Sequence, residues 1–281
     1  MRETRPWKGK KMSEIKLEGL KRVIGRYPRA VVAFSGGVDS SLVLKVSADV
    51  LGNSNIVAVT GSSETYTRSE LQDAKKTALR FGVEHVVMET AELADENFSS
   101  NDEKRCYYCK REFYAKLFAF AQSRGISTVF DGSNVDDEDD YRPGRVAARE
   151  FGVVSPLVEA GFNKGDVRTL LRSWGLDFWN KPSNPCLASR IPYGSAILKE
   201  KLGMVESGEA FLVEYGFSNV RVRHHGEIAR IEVPPSEIER IAGEENRKKI
   251  IEYFKKLGFL WVTVDLEGYR TGSLNEILKR R

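Results

Sequence analysis

The sequence predicts an α/β protein, a doubly wound parallel sheet followed by a small C-terminal α+β domain. Three observations carry that expectation. Short apolar runs alternate with helical segments through the first two thirds of the chain. A glycine-rich turn stands between the first of those runs and the helix after it. Beyond about Gly194 the order becomes strand, turn, strand, helix, strand.

The elements follow in order. Residues 30–34, 56–60, 83–89, 128–131 and 153–157 are the five apolar runs. Runs without polar alternation read as strands buried on both faces, which implies parallel strands covered by helices. Leu42, Val43 and Val46 follow the first run at helical spacing. Thr67 and Glu70 have the spacing of a capping box, and Phe113, Leu117, Phe118 and Ala121 form an apolar helical stripe. In the second part, residues 219–222 and 228–233 read as strands about a turn at His225-Gly226. Residues 236–257 read as one charged amphipathic helix and 259–266 as a last strand. Pro182, Pro185 and Pro192 mark 180–194 as a junction, giving domains 1–194 and 195–281. Junctions are common places for substrate pockets. The basic stretch 1–12 has no apolar core and reads as a frayed, solvated leader, not a secretory signal.

Composition narrows the function classes. The 281 residues are 41% hydrophobic and 30% charged, ordinary for a globular chain long enough for two domains. The net charge of +4, from 44 basic and 40 acidic side chains, is too weak to argue for a nucleic-acid or membrane partner. No run is apolar and long enough to span a bilayer. Three cysteines, an odd count without a signal sequence, argue against a disulfide framework and for reduced thiols in the cytoplasm.

Four motifs carry chemistry. The first is Ser35-Gly36-Gly37-Val38-Asp39-Ser40-Ser41, between a strand and a helix. Two glycines let the backbone turn tightly and approach an anion. The unbonded N–H groups of the helix start point at that anion. Ser35, Ser40 and Ser41 can add hydroxyl donors, and Asp39 can hold Mg²⁺. No lysine follows the glycines, so this is not a Walker A loop. The second is Asn184-Pro185-Cys186-Leu187-Ala188-Ser189-Arg190-Ile191-Pro192-Tyr193-Gly194. Prolines hold Cys186 rigidly near Arg190, and positive charge favours the thiolate; a buried structural cysteine fits the same stretch. The third is Cys106-Tyr107-Tyr108-Cys109, a spacing that suits zinc, an iron–sulfur cluster or a redox pair. No second CxxC completes a zinc site, and His85, His224 and His225 all lie far from a cysteine in sequence. With Cys186 the pair fits a [4Fe–4S] cluster with one iron left open, able to carry a hydrosulfide. The fourth is Arg221 with Arg223, two apart on a strand and so facing one way, as a phosphate clamp or as an exposed basic face. The run Asp136-Asp137-Glu138-Asp139-Asp140 is a solvated loop or a Mg²⁺ or substrate contact. Arg105, Lys110 and Arg111 flank the CxxC, either tuning its thiols or keeping a helix start soluble. Trp174 and Trp179 are better suited to core packing than to stacking on a ring.

The first motif in its context resembles the PP-loop of the ATP pyrophosphatase superfamily, of adenine nucleotide alpha hydrolase-like fold. That superfamily includes asparagine, GMP and NAD synthetases and the tRNA thiolases. The resemblance implies ATP and Mg²⁺ as ligands, transfer of an adenylyl group, and an adenine near Thr60-Gly61-Ser62. With this loop upstream, the Cys186 stretch closely resembles the LarE family of ATP-dependent sulfur transferases. Asp140-Tyr141-Arg142-Pro143-Gly144 and Arg221-Val222-Arg223-His224-His225-Gly226 are similar to that family too. The likeness runs from about residue 17 to 278.

The resemblance implies a specific reaction. ATP adenylates a carboxylate of pyridinium-3,5-biscarboxylic acid mononucleotide, and a sulfur nucleophile displaces AMP to leave a thiocarboxylate for the nickel-pincer nucleotide cofactor. Arg142 and Arg190, within matching motifs, join Arg221 and Arg223 as nucleotide-binding candidates. In one branch the cysteine matching Cys186 gives up its sulfur and is left as dehydroalanine. This chain departs from that branch by carrying the CxxC, and resembles a three-cysteine branch and the cluster-containing thiolases. Cys106, Cys109 and Cys186 are therefore the expected cluster ligands, and with Asp39 the expected catalytic set. A small-molecule nucleotide, sulfide or another sulfur donor, and a second copy of the chain are the expected partners. Two rivals are a tRNA thiolase and a nucleotide-binding module without catalysis. Against the first, the chain lacks the extra cysteine pairs of zinc-finger-bearing thiolases, although a local basic patch would suffice for tRNA.

Overall fold

A computed structural model describes residues 6–137, 143–182 and 184–270. The chain begins with helix α1 (Pro6–Ile24). The stretch expected to fray is thus helical from Pro6 onward. Proline presets a helical φ, and the N–H it lacks is one the first turn leaves unbonded anyway. Strand β1 (Ala30–Ala33), helix α2 (Val38–Leu51), β2 (Ile56–Ser62), α3 (Arg68–Arg80) and β3 (Glu84–Glu89) follow. Next come α4 (Glu96–Ser99), α5 (Arg105–Ser123), β4 (Val129–Phe130), α6 (Pro143–Glu150), α7 (Pro156–Glu159) and α8 (Lys164–Ser173). The C-terminal part holds α9 (Lys199–Glu214), β5 (Arg221–His225), β6 (Ile228–Glu232), α10 (Ile238–Ala242), α11 (Glu244–Lys256) and β7 (Trp261–Val264).

Two compact units emerge. The first comprises Met1–Ser63, Arg68–Glu92 and Cys106–Ser183; the second comprises Glu64–Thr67, Leu93–Arg105 and Asn184–Arg281. A single cut at residue 194 would leave 64–67 and 93–105 in the first unit; these two excursions, which follow β2 and β3, pack with the second.

In the first unit the strands pair in the order β3-β2-β1-β4, all parallel. Alternate residues serve opposite faces. Ala30, Val32 and Phe34 pack with α1, α2, α3 and α8, while Val31, Val57 and Val59 pack with α5 and α6. Covering both faces explains why β1, β2 and β4 read as apolar runs, while β3, at the sheet edge, is half-buried and carries Glu84, His85 and Glu89. The expected fifth strand is a correction. Only the single bridge Phe130↔Val154 forms there, because Pro156 removes a donor and starts α7 instead. Trp174 and Trp179 are half-buried against this core, as their size suggested.

In the second unit β5 and β6 form an antiparallel hairpin, and β7 pairs parallel to β6. One face of this sheet carries Val222, Ala229 and Ile231, all fully buried. Gly208 of α9 brings that helix close: a Cβ there would meet the Phe254 ring at 3.0 Å. The single helix expected over 236–257 is broken in two. Gly243 takes an extended conformation (φ −56°, ψ 147°), ending α10 and capping α11. Among the described residues, no helix is long and apolar enough to cross a membrane.

Candidate functional site

The chain leaves β1 to build β2 and β3 on one side, then returns to place β4 on the other. Residues 35–41 follow β1, at the point where the strand order reverses. Ligands of open parallel sheets bind beyond the strand ends at such points. Gly36 is left-handed, with φ +70°, and a Cβ on it would lie 3.0 Å from Ala74 of α3. Gly37 has an ordinary φ of −78° and stands at the N-cap of α2 without a side-chain cap. The loop closes on itself. Ser35 Oγ and Ser40 Oγ share a proton at 3.1 Å, Gly37 N donates to Ser35 Oγ at 3.3 Å, and Ser40 Oγ donates to the Gly37 carbonyl at 3.2 Å. Ser41 Oγ is fully buried and has no hydrogen-bond partner. An anion would be offered the first N–H groups of α2, which no helical carbonyl accepts.

Asp39 and Asp137 are coupled here. Burial lifts the Asp39 carboxyl to about 6, and the charge of Asp137 adds to that rise. Lys164, the Asn134 side chain and Arg168 oppose it. Asp137 is itself buried, with Lys164 Nζ 3.5 Å from its Oδ1. A half-buried and a buried carboxylate that repel each other are suited to a divalent cation. Gly132, which the motif reading missed, packs against the same turn. A Cβ on it would lie 2.7 Å from Ser40 N.

Thr60 and Gly61, expected near an adenine, lie within β2. Thr60 Oγ1 donates to the Phe34 carbonyl at 2.6 Å and contacts His85 Nε2 at 2.8 Å. A hydroxyl has one proton, so the imidazole Nε2–H is the donor in the second bond. A Cβ on Gly61 would meet the Phe113 ring at 3.1 Å.

Cys106 and Cys109 stand three apart on the opening turns of α5, on one helix face. Cys106 is exposed and Cys109 half-buried. Gly144, at the start of α6, packs against this turn; its Cβ would be 3.3 Å from the Cys106 carbonyl. Tyr114 is pushed up to about 12, chiefly by burial. Arg142 and residues 138–140 of the acidic run lie outside the described residues.

In the second unit Cys186 caps a short 3-10 helix, Leu187–Arg190. Arg190 has no solvent exposure. Its guanidinium makes paired bonds to Glu209, at 2.9 and 3.0 Å. It also donates to the carbonyls of Pro185 and Cys186, to Ser189 Oγ and to Asn184 Oδ1. Expected to bind a nucleotide, Arg190 directs its five N–H groups into the loop and Glu209.

Arg221 and Arg223 share one face of β5 and are buried, so the exposed basic face is replaced by a packed one. Arg223 holds Glu232 through two bonds, 2.9 and 2.7 Å, and donates to the Ser189 carbonyl at 2.9 Å. Arg221 donates to the Val220 carbonyl and lies 5.0 Å from the Tyr269 ring centre. Burial and the neighbouring Arg190 push its pKa down. A basic group so placed is stabilised by an incoming anion.

No disulfide joins the three cysteines. Cys106 and Cys109 belong to the first unit and Cys186 to the second. Among the described residues no group of three or more His, Cys, Asp or Glu side chains stands ready to hold a metal.

Residues 19–124 match the family model described as NAD synthase. An uncharacterized protein of Synechocystis sp. is 45% identical over 96% of this chain and all of its own length. The pyridinium-3,5-bisthiocarboxylic acid mononucleotide synthase of Lactiplantibacillus plantarum is 40% identical over 90% of this chain and 91% of its own length. The tRNA-specific 2-thiouridylase of Beijerinckia indica is 26% identical, over 71% of this chain and 54% of its own.

Proposed function

The chain belongs to the LarE family of pyridinium-3,5-bisthiocarboxylic acid mononucleotide synthases, and on that footing we propose that it is an AMP-forming sulfurtransferase acting on the corresponding biscarboxylic acid mononucleotide. A substrate carboxylate attacks the α-phosphorus of ATP, and pyrophosphate leaves. A sulfur nucleophile then adds to the acyl carbon and AMP departs, leaving a thiocarboxylate. Two turnovers convert both carboxylates.

The observation that carries this reading is the closed turn at residues 35–41, which includes half-buried Asp39. Its left-handed Gly36 and the N-terminus of α2 suit a pyrophosphate group. Asp39, with Asp137 facing it, would hold Mg²⁺, which neutralises phosphate charge when bound. The orphaned Ser41 hydroxyl beside the turn fits the same ligand set. Arg221, with Arg223 on the same strand face, would take the 5′-phosphate of the substrate. Its pKa is depressed first by burial and then by Arg190, and an anion bound there would oppose both.

For sulfur delivery we take the three-thiolate reading. Cys106, Cys109 and Cys186 are chemically a ligand set for a [4Fe–4S] cluster. Such a cluster, when bound, supplies an iron without a protein ligand, at which sulfide can be carried. Cys186 then survives turnover. The test is to mix the anaerobic protein with MgATP, the biscarboxylic acid mononucleotide and sulfide. AMP, pyrophosphate and the thiocarboxylate are the expected products, with Cys186 intact by mass spectrometry. ADP and phosphate would overturn the ATP chemistry. Stimulation by unmodified tRNA in place of the mononucleotide would make the chain a thiolase. Loss of hydrogen sulfide from Cys186, about 34 Da, would instead show a consumed cysteine.

A further inference from the structure

Asn101 is fully buried and left-handed, with φ 61°. Its side-chain nitrogen donates to the carbonyls of Pro192 at 2.8 Å and Ser195 at 2.9 Å, with the Ile191 carbonyl at 3.3 Å. Its own carbonyl accepts from Gly194 N at 3.0 Å. Its side-chain oxygen accepts from the guanidinium of Arg105. Arg105 is 5% exposed, and its guanidinium carbon sits 4.3 Å from the ring centre of Tyr193. All these residues belong to the second unit. Neither expected role, tuning thiols or keeping a helix start soluble, describes a buried guanidinium held by an asparagine and a tyrosine.

The sequence positions of the two partners give the clamp its meaning. Arg105 is the first residue of α5 and is bonded directly to Cys106. The clamped segment 191–195 begins five residues after Cys186. One buried carboxamide therefore links the backbone that runs into one thiol segment with the backbone that runs out of the other. Packing alone does not call for this arrangement: the guanidinium is desolvated with its Nε left without a hydrogen-bond partner, and the Asn101 side-chain oxygen is its acceptor, so losing that bond strands a buried charge.

We propose that Asn101 and Arg105 are positioning residues for the sulfur chemistry, anchoring the loop that bears Cys186 to the residue that precedes Cys106. The proposal deepens the sulfur-transfer reading and rests on it. The full chain is compared with Arg105→Gln, Arg105→Lys and Asn101→Gly, the last keeping the positive φ. Iodoacetamide labelling of each cysteine is timed by mass spectrometry in the cluster-free protein. Iron per chain is then measured after anaerobic reconstitution with iron and sulfide.

Arg105→Gln and Asn101→Gly are expected to speed labelling of Cys186 by about tenfold, the effect of one buried hydrogen bond left unmade, and to lower the iron retained. Arg105→Lys keeps a donor and a cation over Tyr193, and is expected to restore most of both. The KM for ATP in pyrophosphate release stays at the wild-type value. Labelling of Cys186 at the wild-type rate in both variants would overturn the proposal. So would equal acceleration at Cys109, which signals general loosening. A wild-type protein that takes up no iron would remove the cluster reading alone, and the labelling rates would still decide the clamp.

Discussion

The turn at residues 35–41 and the loop around Cys186 are both short connections that must hold reactive groups still, yet they are fixed in opposite ways. The turn is held by its own residues. Its stapling hydrogen bonds span two to five positions, from Ser35 to Gly37 and from Ser35 to Ser40. The Cys186 loop is held from afar. Glu209 lies 19 residues beyond Arg190, Arg223 lies 34 beyond Ser189, and Asn101 lies 91 before Pro192. A site held locally is written in its motif. A site held from a distance is written in residues that no motif joins.

Breaking the turn should give the largest effect. Gly36→Val puts a β-branched side chain at φ +70° and 3.0 Å from Ala74. Pyrophosphate release should fall by about a hundredfold or more, as a displacement near 1 Å can do, while the circular dichroism spectrum stays native. Gly37→Val, at an ordinary φ, should damage ATP binding with less loss of stability. Equal melting temperatures for the two variants would show that the turn is not strained in the way Gly36 implies.

The matching test on the other loop is Glu209→Gln. It leaves Arg190, which has no exposure, without its counter-charge. Stability should drop by about 3–5 kcal/mol, the usual cost of stranding a buried charge. Thiocarboxylate formation should fall further than pyrophosphate release. A variant that lost both activities in proportion would show that the two regions are not separable.

The same contrast explains what could be read from the sequence. The runs that became β1, β2 and β4 are buried on both faces, which leaves an unmistakable composition, whereas β3, at the sheet edge, is half-buried and was legible from its central Val86-Val87-Met88. The fifth failed at Pro156 and the long C-terminal helix at Gly243, both single residues whose backbone effect outweighs the surrounding apolar pattern. Gly36 was legible because only glycine accepts its φ cheaply. Gly132 was not, although its place right after a strand was a usable signal: its need for a bare Cα arises from Ser40, far away in the chain. Asn101 and Glu209 carried no local signal at all. Arg190 was noticed as a charge beside Cys186, but its direction is set by Glu209.

A smaller effect sharpens the electrostatics of the turn. Asp39 is raised from 3.8 to about 6 in the folded protein, chiefly by burial. The folded chain therefore binds this proton more tightly than the unfolded one. The associated stability is fully present below about pH 4 and is lost as pH rises through about 6. Asp39→Asn should thus raise stability at pH 7 by roughly 2–3 kcal/mol, two pKa units being worth that much, and change little at pH 4. Denaturant melts at the two pH values, without ligand, check it. In wild type, binding of MgATP should tighten as pH rises through 6, because the ionised carboxylate is the form that takes the cation.

The smallest effect assigns that titration. His85 could be blamed for a transition near pH 6, since it sits 2.8 Å from Thr60. The hydrogen bonds argue otherwise. Thr60 gives its single proton to the Phe34 carbonyl, so His85 must donate through Nε2. Imidazolium keeps that N–H, so protonation leaves the bond to Thr60 intact. Burial and Lys75 also push the His85 pKa down, which keeps the ring neutral at pH 7. His85→Gln can supply an amide N–H in the same direction, and should weaken ATP binding by about threefold or less, within the net worth of one hydrogen bond. Its pH profile for MgATP binding should still rise through 6, whereas the profile of Asp39→Asn should be flat. A flat profile in His85→Gln would move the titration from the PP-loop carboxylate to the strand behind it.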